Sequence, residues 1–226
     1  GGRRATPRRS TVKHLVAALM AVALLGCDGD SAPDVVQSGV GIVAEGCAGT
    51  TKEFGSGIAV DRPGHVVTTA HTVAGATAIT VVDSFGVEFP ATVVSFDKDA
   101  DLALLDVPGL AAPPLAVGRA EVGDALAVVW SPDNGVRPVS VMITRRLDIT
   151  IEDIYVEDEV RRSGLELVGD ISVGDSGGAV VDGSGDVVGI IYARSRPRPQ
   201  TAFATDDGEL ERLLSERPLD ATDRCQ

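Results

Sequence analysis

Positive charge is scarce in this chain, and so are the residues that usually bind metals. Of its 226 residues, 20 are Lys or Arg against 33 Asp or Glu. Five of the basic residues (Arg3, Arg4, Arg8, Arg9 and Lys13) fall within the first 27 positions, which contain no acid. The rest therefore has 15 basic against 33 acidic side chains, a net of −18. Such a surface repels phosphates, because nucleic-acid binding relies on clustered cations that displace counterions; no nucleic-acid partner is expected. The three histidines (His14, His65, His71) and three cysteines (Cys27, Cys47, Cys225) show no metal-ligand spacing. No metal and no cofactor is expected. The apolar run Leu15 to Leu25 has eleven residues, well short of the ~20 that a spanning helix needs.

What is abundant is apolar sequence in short pieces: 44% of residues are hydrophobic, and 26 glycines break them up. Partly alternating runs recur at Gly39 to Val43, Gly57 to Val60, Val66 to Ala70, Ala78 to Val82, Ala91 to Ser95 and Leu102 to Val107. Turn residues such as Arg62-Pro63-Gly64 and Phe85-Gly86 separate them. After a Pro-rich crossing from Pro108 to Pro114, six more follow: Ala125 to Trp130, Val139 to Arg145, Leu165 to Val168, Gly178 to Val181, Val187 to Tyr192 and Thr201 to Ala204. Strands at this spacing predict an all-β protein of two antiparallel six-stranded barrels. A short C-terminal helix is expected from about Asp207 to Ser215, capped by Asp206 with Glu209 three residues on; Leu210, Leu213 and Leu214 would form its docking stripe.

The N-terminal 27 residues have the form of a secretory signal: a basic segment, an uncharged apolar core, then Leu24-Leu25-Gly26-Cys27. That last tetrapeptide resembles the bacterial lipobox, whose cysteine becomes a lipidated mature N-terminus. An ordinary cleavage region with a stray cysteine is the alternative. Arg8-Arg9-Ser10-Thr11-Val12-Lys13 shares the paired arginines of twin-arginine signals but lacks the Phe. The expected organisation is signal peptide with lipobox over 1–27, an acidic flexible tether (DGDSAPD) over 28–34, a first barrel over 35–112, and a second barrel with the helix over 113–226.

Three motifs stand in order along the chain: Thr68-Thr69-Ala70-His71, Asp99-Ala100-Asp101-Leu102-Ala103-Leu104-Leu105 and Gly174-Asp175-Ser176-Gly177-Gly178. A serine hydroxyl is a poor nucleophile at neutral pH and needs a base in hydrogen-bond reach, itself held by a third group. Ser176, His71 and Asp101 supply these types, with Asp97 and Asp99 as competing carboxylates. The glycines around Ser176 permit a sharp turn and close approach of a substrate backbone.

With GSGIAVD, VVTTAHTVAG, PATVVSFDKDADLALLDVPGL, DIYVEDEV and VGDSGGAVVD read together, the chain from about Val35 to Cys225 resembles the chymotrypsin-fold (trypsin-like) serine proteases. The likeness is to their bacterial periplasmic branch, and within it to the membrane-associated acid-resistance type of mycobacteria. The resemblance implies an exported serine endopeptidase acting on protein or peptide substrates of the cell envelope. His71, Asp101 and Ser176 would be catalytic, and the amides of Gly174 and Ser176 would form the oxyanion hole. It also implies a disulfide between Cys47 and Cys225, an even pair if Cys27 takes the lipid. Asp170 occupies the position of the acid that attracts Lys or Arg side chains in trypsin-like enzymes, while Arg194 falls on the pocket's rim strand, where it could neutralise that acid. Animal digestive enzymes use the aspartate matching Asp175 to bind an amine freed by zymogen cleavage. No Arg-Ile-Val-Gly-Gly site precedes His71, so activity without that cleavage is expected, and the partner of Asp175 is left open. With about ten residues beyond the helix, no peptide-binding domain is expected to follow. Localisation is expected to be periplasm or cell surface, with a membrane anchor through Cys27. The competing function is a catalytically silent lipoprotein that keeps the fold as a binding or sensing module. Oligomeric state is left open.

Overall fold

A computed structural model describes residues 1–3, 35–46, 52–220 and 222. Residues 4–27 of the expected signal, with its lipobox, the tether and all three cysteines lie outside the described residues.

Among the described residues, twelve strands form two closed antiparallel barrels. The first comprises β1 (Gly39–Glu45), β2 (Lys52–Ala59), β3 (His65–Thr68), β4 (Ala78–Val82), β5 (Glu88–Asp97) and β6 (Leu102–Asp106). The second comprises β7 (Gly123–Ser131), β8 (Gly135–Glu152), β9 (Glu159–Gly169), β10 (Ala179–Val181), β11 (Val187–Arg194) and β12 (Thr201–Asp206). Around the first barrel the order is β1-β2-β3-β6-β5-β4, and around the second β7-β8-β9-β12-β11-β10, the same circuit repeated. Closure leaves neither barrel with an unpaired edge. Bulges between Val93 and Ser95, Ile143 and Arg145, and Ile191 and Ala193 bend the strands round the corners.

Burial explains why the motif strands look more apolar than an ordinary half-exposed strand. In β6, Ala103 and Leu105 point into the first barrel with Val40, Ile42, Val66 and Phe96. Their neighbours Leu102 and Leu104 point the other way, into a separate core shared with Val128, Ala179, Val181 and Ile190 of the second barrel. Strands buried on both faces lose the alternation that a solvated face imposes. A third core, including Val129, Ile143, Leu165, Leu167 and Ile191, fills the second barrel.

Helix α1 (Val35–Ser38) is a single turn leading into β1, and α2 (Ala70–Val73) a single turn after β3. Helix α3 runs Asp207–Glu216. Asp206 caps it by accepting from the Glu209 amide at 3.2 Å, and Leu210 and Leu213 are fully buried against the inter-barrel core. Among the described residues, no helix is long and apolar enough to cross a membrane.

Several strands extend beyond the expected runs. β8 reaches Glu152 and β9 begins at Glu159, so the two form a long hairpin whose outer part is paired from Arg145↔Glu166 to Glu152↔Glu159. Its tip packs on the first barrel. Ile154 joins the first barrel's core, and its amide donates to the Lys98 carbonyl at 3.3 Å. Asp153 is buried, accepts from the amides of Tyr155 and Glu157, and takes the Lys98 ammonium at 2.7 Å.

Candidate active site

The α2 turn presents His71 to the loop between β5 and β6. Two bonds bind the pair: the His71 amide donates to Asp101 Oδ1 at 2.9 Å, and Nδ1–H donates to Oδ2 at 2.8 Å. With Nδ1 carrying the proton, Nε2 is left with its lone pair, the tautomer a general base requires. The other two candidate carboxylates face elsewhere. Asp97 Oδ1 accepts from the amides of Asp99 and Ala100, its Oδ2 pairs with Arg212 at 2.7 Å, and Asp99 pairs with Lys98. Asp101 is buried and sits at φ 58, a left-handed conformation that a non-glycine residue holds only when its surroundings impose it.

Burial pushes the imidazole's pKa down, but the charge of Asp101 and its hydrogen bond more than offset this, so the pKa of His71 lies above the ordinary histidine value. Arg162 opposes the rise and Glu53 assists it. His65, by contrast, is fully buried beside Asp61 and Arg62, and burial holds its pKa below the ordinary value. It is a structural residue at the start of β3, bonded to the β2–β3 turn.

Ser176 lies on the turn from Gly174 to Gly178, on the second barrel, and that turn is pinned to the first. The Ser176 carbonyl accepts from the Ser56 amide of β2 at 2.7 Å, and the Gly177 amide donates to the Ile191 carbonyl at 2.8 Å. Ser56 is itself fully buried; its hydroxyl accepts from the Trp130 amide at 2.8 Å, and its carbonyl accepts from the Thr68 hydroxyl. Gly177 has φ +85, and a Cβ there would stand 2.0 Å from the Ser56 carbonyl oxygen, so no other residue allows this approach. Gly174 has φ +98 with open space beside it. Among the described residues, neither the Gly174 nor the Ser176 amide has an acceptor within the protein, and the Ser176 hydroxyl makes no hydrogen bond. Contacts between base and nucleophile are often loose before substrate arrives.

The structure answers the question left by Asp175. This carboxylate is 2% exposed and accepts from the Ser172 amide at 2.8 Å and from Arg137 Nη2 at 3.2 and 3.3 Å. Burial, the largest influence, raises its pKa; the Ser172 amide and Arg137 oppose the rise, and the Asp170 charge adds to it. Sequence reasoning missed Arg137, which lies 38 residues upstream on β8 and carries no local signal. Beside this pair, a cleft of about 480 Å³ is lined by Phe54, Trp130, Arg137, Val173 and Gly174, among others. A larger apolar cavity of about 760 Å³, by Val36, Leu126 and Val181, shares no residue with the site. Asp170 and Arg194 are both exposed, and among the described residues no ion pair joins them. No group of three His, Cys, Asp or Glu side chains among the described residues could hold a metal ion.

A fold of two six-stranded barrels, with a serine on a glycine turn of one and a histidine–aspartate pair on the other, defines the chymotrypsin-like class. The trypsin-like peptidase domain family matches residues 55–190, and the chain belongs to that family of serine-type hydrolases. It is 34% identical to the serine protease Rv3671c of Mycobacterium tuberculosis over 165 residues, covering 71% of this chain and 41% of that protein. It is 29% identical to the serine endoprotease DegS of Escherichia coli, covering 62% of this chain and 39% of DegS. The chain thus spans about two fifths of the length of these curated relatives. Against the crystal structure of the active form of the Rv3671c protease the TM-score is 0.78 at 29% identity, covering 84% of this chain and 86% of that one. Against the inactive form the TM-score is 0.69.

Proposed function

We propose that this protein is a serine endopeptidase that works through an acyl-enzyme on Ser176, with His71 as general base and then general acid and Asp101 as its orienting carboxylate. The observation that carries this reading is the two-point bond between Asp101 and His71, made on the first barrel while the serine turn is fastened to β2 of the same barrel. Ser176 Oγ attacks the scissile carbonyl as its proton passes to His71 Nε2, and the imidazolium formed faces Asp101. The amides of Gly174 and Ser176 stabilise the developing oxyanion, where loss of one donor typically costs about 10²- to 10³-fold in turnover. Collapse of the tetrahedral adduct delivers the proton from His71 to the leaving amine; water then repeats the sequence on the ester.

Arg137 supports activity without zymogen cleavage. In cleavage-activated enzymes a newborn amine neutralises the buried aspartate beside the serine; here a guanidinium of the uncut chain does so.

Residues 1–27 are proposed as an export signal with lipobox, 28–34 as the tether, and 35–112 and 113–226 as the two catalytic halves. The enzyme would act on cell-envelope proteins from the periplasm or cell surface, anchored by a lipid on Cys27 and stapled by Cys47 and Cys225. The motif at Leu24 to Cys27 and the periplasmic description of one relative, a probable DegP-like endoprotease of Halomonas elongata, support this placement. Labelling with a fluorophosphonate probe tests the chemistry: the mature wild type should be labelled, and Ser176→Ala and His71→Ala should not. An unlabelled wild type would favour a silent binding module. Cys27→Ala should move the protein from the membrane to the soluble fraction, and unchanged partition would remove the anchor.

A further inference from the structure

Arg162, on β9 of the second barrel, is 3% exposed, and among the described residues no carboxylate pairs with it. A buried guanidinium without a counter-ion is costly unless something specific receives its hydrogen bonds. Here both bonds converge on one backbone atom of the first barrel: Nε at 2.9 Å and Nη2 at 2.6 Å donate to the Asp99 carbonyl. The guanidinium also lies 4.9 Å over the ring of Tyr192 on β11, a cation–π contact that gains strength from desolvation. Asp99 stands two residues before Asp101, whose φ of 58 must be imposed from outside. The neighbouring attachments of this loop, Asp153 to Lys98 and Ile154 to the Lys98 carbonyl, come from the same β8–β9 hairpin.

We propose that Arg162 is a positioning residue for the catalytic acid: it grips the β5–β6 loop from the second barrel, fixes Asp101 against His71, and places a buried positive charge behind the pair. The proposal rests on the reading of His71, Asp101 and Ser176 as the triad. The charged and titratable groups that act on His71 are Asp101 from the β5–β6 loop, Glu53 from β2 and Arg162 from β9; the Tyr192 phenol of β11 interacts with Asp101 and Arg162. Arg162 is the cation among them. It therefore resists protonation of the imidazole and keeps the base free at a lower pH than Asp101 alone would allow.

The test is the second-order rate of fluorophosphonate labelling against pH, with thermal midpoints measured alongside. Arg162→Met should slow labelling about tenfold or more and move the acid limb to higher pH by about half a unit or more, as loss of a nearby cation requires. Arg162→Gln keeps a donor for the Asp99 carbonyl but no charge, so it should move the limb equally, and it reads the charge effect if the methionine variant does not fold. Arg162→Lys should leave the limb in place. Arg161→Gln, at the exposed neighbouring position, should change neither rate nor limb. A limb that stays at the wild-type pH in both uncharged variants would overturn the proposal, whatever their stability. Labelling that persists in Ser176→Ala would instead overturn the triad reading on which it rests.

Discussion

The two barrels follow the same strand circuit, yet one hairpin distinguishes them. In the first barrel the strands of the equivalent pair, β2 and β3, have eight and four residues; in the second, β8 and β9 have 18 and 11. The additional length crosses to the first barrel, where Ile154 enters the core, Asp153 takes Lys98 and Arg162 takes the Asp99 carbonyl. In return, β2 of the first barrel holds the serine turn through Ser56. On the proposed triad, each barrel thus positions the group the other supplies. The comparison teaches that a site divided between two similar halves depends on the few places where the halves differ or interlock.

The sharpest way to break the division of labour is at the pair itself. Asp101→Asn should lower kcat about 10⁴-fold, because the amide cannot hold the Nδ1–H tautomer; steady-state turnover on an ester substrate reads this, and an unchanged rate would place the acid elsewhere. Next comes the guanidinium that serves the serine turn. Arg137→Met should lower kcat about 10²-fold with little change in KM, by freeing Asp175 and misplacing the Gly174 and Ser176 amides. A rate equal to wild type would show that Asp175 needs no cation.

Smaller effects test the interlock. Ile154→Ala should destabilise by about 2–4 kcal/mol in chemical denaturation, the range for a buried aliphatic truncation, and a value near zero would mean that the hairpin tip merely rests on the first barrel. The His71 pKa raised by Asp101 also fixes a sign. If His71 is the proposed base it must be neutral to act, so the acid limb of kcat/KM should lie above about 6.5, the ordinary histidine value. The same pairing stabilises the fold fully below that value and is lost as pH rises through the folded-state pKa. A limb at or below 6.5 contradicts it. Weakest of all should be Arg161→Gln, which breaks an exposed pair with Asp148 and should change stability by less than about 0.5 kcal/mol.

Much of this architecture was legible in the chain. All twelve strands lie where apolar runs recur, and α3 starts at the Asp206 cap and docks Leu210 and Leu213 as its stripe predicts. What the runs did not show were the extensions: Lys52 to Ser56 of β2, and most of β8 and β9 beyond Arg145. In β8 the apolar alternation in fact continues through Leu147, Ile149 and Ile151, a period-2 strand signal that runs on to the hairpin tip; in β2, Lys52, Glu53, Gly55 and Ser56 leave Phe54 as the one large apolar side chain of the extension, so there the periodicity ends before the hydrogen bonds do. Val66 to Ala70 reads as one strand, yet Ala70 begins the α2 turn that carries His71.

By itself the sequence determined the repeated strands, the glycine turn around Ser176 and the three motifs in their order, because each is a local pattern of side-chain size, polarity and backbone freedom. Only the tertiary structure decided which of Asp97, Asp99 and Asp101 meets His71, that Arg137 neutralises Asp175, and that Arg162 reaches Asp99. These contacts join residues 30, 38 and 63 positions apart. An arginine within a strand looks alike in sequence whether it ends in water or beneath a neighbouring barrel; closure of the sheets chooses between them.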